Sequence, residues 1–252
     1  MVTGRQEPIV AIIKHNNPCG IGLGQSVLEA YQRALECDPT SAFGSIVAAN
    51  AEVDGAAAAA MADLFIEVIV APGFTAEAVE TLTRKKALRL MQAPLLDPQA
   101  LELDMRSVDG GFLVQTRDAE PSDPSTWTCP TERTPTPDER RALELNWHVV
   151  RHVKSNAIVV GNSLQTVGIG AGQMSRVDSC RIAIQKAELE TRGCVAASDA
   201  FFPFADGLEV LAEAGITAVV QPGGSKRDEE VIAAANQREM AMLLTGNRHF
   251  RH

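Results

Sequence analysis

The chain has 252 residues, of which 45% are hydrophobic and 22% charged, and its net charge is −9. These are ordinary values for a globular protein of one large or two modest domains, and the negative charge argues against broad binding to nucleic acid or anionic membranes. The start of the chain lacks an apolar signal region, no apolar run reaches spanning length, and the five cysteines form no C-x-x-C pair. We therefore expect a cytoplasmic protein with reduced thiols, without disulfides or a cysteine zinc site.

The first part of the chain alternates strand-like and helical runs. An apolar run at residues 9–13 predicts a strand, which leads the pair Lys14-His15 into an Asn-Pro-Cys-Gly turn at residues 17–20. Further along, the pattern predicts a helix at 26–36, a strand at 45–49, a helix at 56–64, a strand at 67–71 and a helix at 76–85.

Residues 121–137 carry five prolines with Ser and Thr between them, a composition that cannot form a helix or a central strand. We interpret this segment as a joint between a first lobe, residues 1–120, and a second lobe, residues 138–252. The second lobe is predicted to contain helices from 137 toward 153 and at 176–190, 207–214 and 228–236, and strands at 157–161, 166–169, 194–197 and 217–221. Strands separated by helices predict an α/β fold with mostly parallel sheets and right-handed crossovers.

Several segments carry residues suited to chemistry. Lys14 and His15 place a cation and a proton shuttle at a strand end, which suits an anionic substrate and a proton-transfer step; a polar loop is the alternative. Residues 41–45 form either a tight turn that requires Gly44 or a small-residue loop that lets a ligand approach the backbone. Asn156 lies between a helix and a strand, as a turn residue or as an amide facing a reacting centre.

Two further segments follow predicted strands. Glycines alternate at residues 168–172 without matching G-x-G-x-x-G; their exposed N–H groups and Arg176 could bind an anion or a planar polar ring. At residues 197–206, three Phe and two Asp predict the edge of an aromatic pocket for a flat heterocycle, or else a buried hydrophobic staple with an Asp N-cap.

The basic and aromatic C-terminal residues, 247–252, follow an apolar run, and we expect them to be held against the rest of the protein. His148 and His152 are spaced i, i+4, but no Glu or third ligand accompanies them, so we predict no zinc site.

Six of these segments occur in one order, and together they closely resemble the transformylase domain of the bifunctional purine-biosynthesis family, which couples this activity to inosine monophosphate cyclohydrolase. The segments are residues 14–20, 41–44, 154–157, 168–176, 198–204 and 221–225. The resemblance covers nearly the whole chain, apart from the proline-rich joint and parts around residues 88–106. It implies two cytidine-deaminase-like αβα lobes and a homodimer with active sites at the interface. It also implies formyl transfer from 10-formyltetrahydrofolate to 5-aminoimidazole-4-carboxamide ribonucleotide, with no catalytic metal because folate carries the formyl group.

The resemblance also assigns roles to individual residues. Lys14, His15 and Asn156 match the family's catalytic residues, and Asp206 falls where the family contacts folate. The positions that match the nucleotide site are Gly44, Glu67 (where some members have Asp), Arg176, Phe201 and Arg248. These roles are chemically coherent, because His15 can accept the proton of a weakly nucleophilic amine while Lys14 and Asn156 stabilise an oxyanion and Arg248 holds phosphate.

The cyclohydrolase domain and the family's Arg-Tyr-Gly-Glu-Asn-Pro-His-Gln segment have no counterpart in these 252 residues. We therefore expect a truncated or divergent form, and two alternatives to the enzyme stay open. One is a non-catalytic remnant that binds purine nucleotide or folate, or merely dimerises. The other is a zinc nucleobase deaminase, which needs H-x-E and P-C-x-x-C; His15 is not followed by such a Glu, nor Cys19 by a second Cys.

Overall fold

The computed structural model describes residues 1–95, 103–118 and 122–252. Its first sheet has the strand order β2-β1-β3-β4-β5, in which β1 is antiparallel to both neighbours and β3, β4 and β5 are parallel. The strands are β1 Ile9–Lys14, β2 Asn17–Leu23, β3 Ser45–Ala49, β4 Ile66–Ala71 and β5 Arg89–Gln92, and the helices between them are α1 Val27–Cys37, α2 Gly55–Ala62 and α3 Ala76–Thr83. A separate antiparallel hairpin follows, made of β6 Leu103–Val108 and β7 Gly111–Thr116.

The second sheet has the strand order β12-β11-β10-β8-β9. Its strands are β8 Ile158–Gly161, β9 Thr166–Gly170, β10 Val195–Ser198, β11 Ala218–Gln221 and β12 Ala241–Leu244, and its helices are α4 Pro137–Val150, α5 Arg176–Gln185, α6 Asp206–Glu213 and α7 Asp228–Gln237. Helix α4 begins at Pro137, as predicted, with a capping box between Thr136 and Glu139. None of the helices in the described ranges is long and apolar enough to cross a membrane.

The two sheets have the same topology. Each begins with a hairpin, β1–β2 or β8–β9, and continues with three strands joined by helices, the first antiparallel to the hairpin and the others parallel. The predicted α/β class is confirmed, but the prediction of mostly parallel sheets is wrong. Each sheet has two parallel and two antiparallel pairings. The two strands of the hairpin are joined by too short a connection to run parallel. The helix after the hairpin leads to a strand that runs parallel to the outer hairpin strand, and so antiparallel to the inner strand that lies between them. The predicted lobe boundary between residues 120 and 121 lies outside the described residues.

The first hairpin confirms Lys14 at the end of a strand but corrects the position of the turn, which was predicted at residues 17–20. Lys14 pairs with Asn17, and only His15 and Asn16 form the turn, with φ of 49° and 67°. Positive φ at both central residues is the geometry of the type I′ hairpin turn, which matches the twist of the strands it joins. The residues Pro18 to Gly20, read from the sequence as a turn, are the first part of strand β2.

The alternating glycines serve helix packing. A Cβ atom on Gly168 would lie 2.0 Å from the carbonyl oxygen of Ala183, and one on Gly170 would lie 1.9 Å from that of Ser179, both on α5. The first hairpin repeats this contact, because a Cβ on Gly20 would lie 2.0 Å from the carbonyl oxygen of Ala34 on α1. The expectation that these glycines expose N–H groups to a ligand is therefore wrong for Gly168 and Gly170, which let a helix lie directly on its strand.

The two sheets meet at the edges formed by β2 and β9. The backbone N–H of Ile21 donates to the hydroxyl of Thr166 at 2.9 Å, and the N–H of Leu23 donates to the carbonyl oxygen of Leu164 at 2.7 Å. Buried side chains of both sheets and of α4, including Trp147, form one shared hydrophobic cluster. This packing fixes the position of the first hairpin relative to the second sheet.

Candidate active site

A cavity of about 440 Å³ lies where strand β10 ends. Because β8 runs antiparallel to β10, with Ile158 opposite Ser198, the loop before β8 and the loop after β10 meet at this edge of the sheet. Five predicted site residues line the cavity: Asn156, Arg176, Phe201, Asp206 and Arg248. The other lining residues are Met174, Ser175, Val177, Ala200, Pro203, Phe204 and Phe250.

The side-chain amide of Asn156 is held by three hydrogen bonds. Its Nδ2 donates to the carbonyl oxygens of Gln173 at 3.0 Å and Met174 at 3.1 Å. Its Oδ1 accepts a hydrogen bond from Nη2 of Arg176 at 2.9 Å. These partners fix which face of the amide is turned toward the cavity and occupy both of its N–H donors.

Arg176 forms the floor of the cavity and is almost fully buried. Besides contacting Asn156, its Nη1 lies 2.5 Å from Oδ1 of Asp199 and 2.8 Å from Oγ of Ser198. Asp199 itself has 0% of its surface exposed. The prediction that Asp199 is an acceptor at the pocket edge is therefore wrong, because its carboxylate is buried and accepts hydrogen bonds from Arg176 and Ser155.

Aromatic side chains and Asp206 form one wall. Phe201 and Phe204 line the cavity, whereas Phe202 is buried and its N–H donates to Oε1 of Gln221 at 2.8 Å. Thus the staple alternative holds for Phe202, and the pocket-edge alternative holds for the other two rings. Asp206 is the first residue of α6, not its N-cap, and it accepts a hydrogen bond from the N–H of Gly207 at 2.7 Å.

The C-terminal residues close the cavity, and the expectation that they are tied down is confirmed. The N–H of His249 donates to the carbonyl oxygen of Asp199 at 2.9 Å, and the N–H of Arg251 donates to Oγ of Ser155 at 3.0 Å. Arg248 remains exposed, with its guanidinium 5.2 Å from the centre of the Phe250 ring. Within the described part of the chain Arg248 has no ion pair, so its charge is available to an anion.

The other four predicted residues, Lys14, His15, Gly44 and Glu67, do not line the cavity but gather at one edge of the first sheet. The ammonium of Lys14 donates to the carbonyl oxygen of Phe43 at 2.7 Å, and the N–H of Gly44 donates to that of Phe65 at 2.8 Å. Gly44 has φ of 75°, so the tight turn predicted there is present. His15 and Glu67 are exposed beside them.

Sequence reasoning gave no role to Ser155 and the wrong role to Asp199, although both hold this site together. Both lie inside segments that were singled out, at the loop before β8 and the loop after β10. The available signal was a pair of polar residues at strand ends that the sheet brings together, but the sequence does not show that their side chains face each other.

His148 of α4 and His152, which lies just beyond the end of that helix, are packed against each other. The His148 and His152 rings lie 5.7 Å apart edge to face, and Nε2 of His148 is 2.9 Å from the carbonyl oxygen of Met1. Burial lowers the pKa of His148 to about 4, so the ring is neutral at pH 7. The described ranges contain no group of three His, Cys, Asp or Glu side chains that could hold a metal ion.

Comparisons with known proteins agree with the motifs. A family model described as the AICARFT/IMPCHase bienzyme matches residues 1–186. The bifunctional purine biosynthesis protein PurH of Anoxybacillus flavithermus is 50% identical over 246 residues, which is 98% of this chain and 48% of the relative. PurH of Roseobacter denitrificans is 52% identical over 256 residues (97% and 48%), and PurH of Myxococcus xanthus is 51% identical over 253 residues (98% and 49%). The chain spans about half the length of the curated relatives it matches.

Proposed function

The chain belongs to the AICARFT/IMPCHase bienzyme family, and from this premise we propose that it transfers a formyl group from 10-formyltetrahydrofolate to 5-aminoimidazole-4-carboxamide ribonucleotide. The observation that carries the proposal is the cavity at the end of β10, which collects five of the predicted residues from four separate segments of the chain. Its lining combines a buried arginine, an exposed arginine and aromatic rings. This set suits a phosphorylated ligand with a flat heterocycle.

Arg248 is the proposed phosphate ligand, because its guanidinium is exposed at the rim and has no carboxylate partner among the described residues. The ring of Phe201 supplies an apolar face for the imidazole, and Arg176 is placed to donate to its carboxamide from the floor. Asp206 lines the same cavity, and the folate is proposed to bind beside it. The cavity volume of about 440 Å³ lies in the range of small-molecule sites and accommodates the ribonucleotide.

The proposed chemistry forms a bond from the acceptor's amine nitrogen to the formyl carbon and breaks the bond from that carbon to N10 of folate. His15 accepts the proton that the amine loses, and the same proton is delivered to N10 as tetrahydrofolate leaves. Lys14 stabilises the oxyanion of the tetrahedral intermediate. It has two N–H donors beyond its contact with Phe43, whereas both donors of Asn156 are held by carbonyl oxygens. We therefore assign the larger share of oxyanion stabilisation to Lys14, and Asn156 contributes once one of its carbonyl partners yields.

The separation of the two groups of residues supports a homodimer with composite sites. Lys14 and His15 lie on the first sheet and outside the cavity, so we propose that this edge of one copy completes the cavity of a second copy. Phe43 and Phe65 are exposed around Lys14, with ring centres 5.1 Å apart, and would be covered in such a dimer. The shared topology of the two sheets is also what the proposed cytidine-deaminase-like lobes require. We propose a cytoplasmic location and no nucleic-acid or membrane partner, in keeping with the net charge of −9.

The test is a formyl-transfer assay on the 252-residue chain. With both substrates present, we expect formation of tetrahydrofolate and of the formylated ribonucleotide in equal amounts, and much weaker activity with the dephosphorylated riboside. Nucleotide binding by calorimetry without any transfer would contradict the enzyme and support the binding remnant.

A further inference from the structure

Asp199 lies one residue beyond strand β10, and both of its carboxylate oxygens are engaged. Oδ1 accepts from Nη1 of Arg176 at 2.5 Å, and Oδ2 accepts from the hydroxyl of Ser155 at 2.6 Å. Among the residues that the structure describes, neither oxygen caps a helix or bonds a strand. Every side-chain contact of this carboxylate therefore leads to a segment that forms the cavity.

The first of these contacts reaches the predicted catalytic amide. Arg176 donates with Nη1 to Asp199 and with Nη2 to Oδ1 of Asn156, so the guanidinium bridges the two side chains. Since the guanidinium is planar and rigid, fixing one of its nitrogens fixes the direction of the other. The orientation of the Asn156 amide thus depends on Asp199 through Arg176.

The second contact reaches the C-terminal tail. The hydroxyl of Ser155, held by Asp199, accepts the N–H of Arg251 at 3.0 Å, and the backbone carbonyl of Asp199 accepts the N–H of His249 at 2.9 Å. These two bonds lie on either side of Phe250 and directly after Arg248. The position of the proposed phosphate ligand therefore also depends on the residue at 199.

We infer that Asp199 is a positioning residue, which holds the Asn156 amide through Arg176 and holds the tail that carries Arg248 through Ser155 and its own backbone. The kinetic part of this inference rests on the proposed function. A buried ion pair is weak grounds for a purely stabilising role, because the cost of removing both charges from water offsets most of their attraction. The side chains of Arg176 and Asp199 are only 6% and 0% exposed, so this cost applies to both.

A comparable pair lies elsewhere in the second lobe. Glu139 of α4 and Arg133 also approach to 2.5 Å, but they lie beside Thr217, just before β11 and so at the opposite end of the parallel strands from the cavity. Substituting Glu139 removes a carboxylate–arginine pair without touching the cavity. It therefore separates loss of stability from loss of positioning.

The experiment compares Asp199→Ala with Glu139→Ala by NMR, using the side-chain amide signals of Asn156 and the hydrogen exchange of backbone amides. In Asp199→Ala, we expect the Asn156 amide signals to shift or broaden and the amide of Arg251 to exchange about tenfold faster or more, whereas the amide of His249 keeps its bond to the backbone carbonyl of residue 199. In Glu139→Ala, the Asn156 signals and the exchange at Arg251 should match wild type. Turnover should fall about tenfold to a hundredfold in Asp199→Ala and stay within about twofold in Glu139→Ala.

Asp199→Ala leaves a buried arginine without its partner, so Ser155→Ala serves if that variant does not fold. It removes only the hydroxyl link, and we expect faster exchange at Arg251 with unchanged Asn156 signals. A folded Asp199→Ala with wild-type Asn156 signals and wild-type exchange at Arg251 would overturn the inference, as would a Ser155→Ala with wild-type exchange at Arg251. The NMR readouts need no substrate; if they change as expected while wild type transfers no formyl group, the proposed function fails and the positioning role stands.

Discussion

The side chain of Asn17 accepts a hydrogen bond from the backbone N–H of Lys154 at 3.0 Å. Asn17 directly follows the turn of the first hairpin, and Lys154 lies two residues before Asn156. This single bond therefore joins the segment that carries Lys14 and His15 to the loop that carries the third predicted catalytic residue. Motion of the hairpin turn is restrained by the same loop that shapes the cavity.

His15 can be tested without disturbing the turn that holds it. Since its φ is 49°, alanine would be strained there, whereas asparagine adopts this conformation readily and lacks the imidazole. We expect His15→Asn to lower turnover about 10²- to 10⁴-fold with little change in nucleotide affinity, because a proton shuttle acts in the transition state. Asn16→Gly, at the next turn position, is the control and should keep turnover near wild type. Near-normal turnover in His15→Asn would remove the residue from the mechanism.

Arg248 should carry phosphate recognition. Charge-assisted hydrogen bonds contribute about 1.5–3 kcal/mol, so Arg248→Ala should raise the dissociation constant of the ribonucleotide about tenfold to a hundredfold or more. The dephosphorylated riboside should bind wild type and variant equally weakly in calorimetry. Arg181→Ala, an exposed arginine of α5 paired with Asp178, is the control and should leave both constants unchanged. Unchanged ribonucleotide binding in Arg248→Ala would place the phosphate elsewhere.

Gly170 tests the packing role of the alternating glycines. In Gly170→Ala the new Cβ would lie 1.9 Å from the carbonyl oxygen of Ser179. This oxygen belongs to the backbone of α5, which cannot move aside as the end of a flexible side chain can. We expect the free energy of unfolding to fall by about 1–3 kcal/mol or more, measured by urea denaturation. Gly111→Ala is the control, because a Cβ there meets nothing within 4 Å and should change stability little. Equal stability of the two variants would show that helix α5 does not depend on this close approach.

The ionised carboxylate of Glu139 should make the free energy of unfolding depend on pH in the acid range. Burial alone would raise the pKa of its carboxyl, but hydrogen bonds from Arg133, Thr217 and the N–H of Thr136 outweigh burial and hold the pKa below the usual 4.5. Because the pKa is lower in the folded state, the ionised carboxylate stabilises the fold above about pH 4.5, and this contribution is lost as pH falls through the folded value. Urea unfolding at several pH values should show Glu139→Gln less stable than wild type at pH 7, with the gap narrowing below pH 4.5. A gap that stays constant with pH would contradict this.

Much of the fold could be predicted from the sequence, because most elements have clear periodicity. Strand β3 was predicted with its observed bounds, and strands β8 to β11 and helices α4 to α7 were predicted to within five residues. Strand β2 was missed, since its proline and glycines are typical of a turn, and only contact with α1 explains why glycines stand in a strand. Strands β5 and β12 and the hairpin β6–β7 were also missed.

The site was predictable in its members but not in its geometry. Motifs identified Asn156, Arg176 and Arg248, yet strand direction decides which loops meet, and the sequence suggested mostly parallel sheets. It is the antiparallel pairing of β8 with β10 that brings Asn156 to the loop containing Asp199. Asp199 looked like a surface acceptor, because neither its complete burial nor its pairing with Arg176 can be inferred from residue type.

The central claim, formyl transfer by residues of both sheets acting together across two copies, is tested most directly by complementation. His15→Asn and Asn156→Ala are each expected to be nearly inactive, and refolding them together at equal amounts should produce mixed dimers with one intact site. About half of the dimers are then mixed, and each mixed dimer has one intact site of two, so about a quarter of all sites are intact. The formyl-transfer assay should therefore recover about a quarter of the activity of the same total amount of wild-type protein. A mixture no more active than the single variants, beside an active wild type, would contradict the composite site, and an inactive wild type would contradict formyl transfer itself.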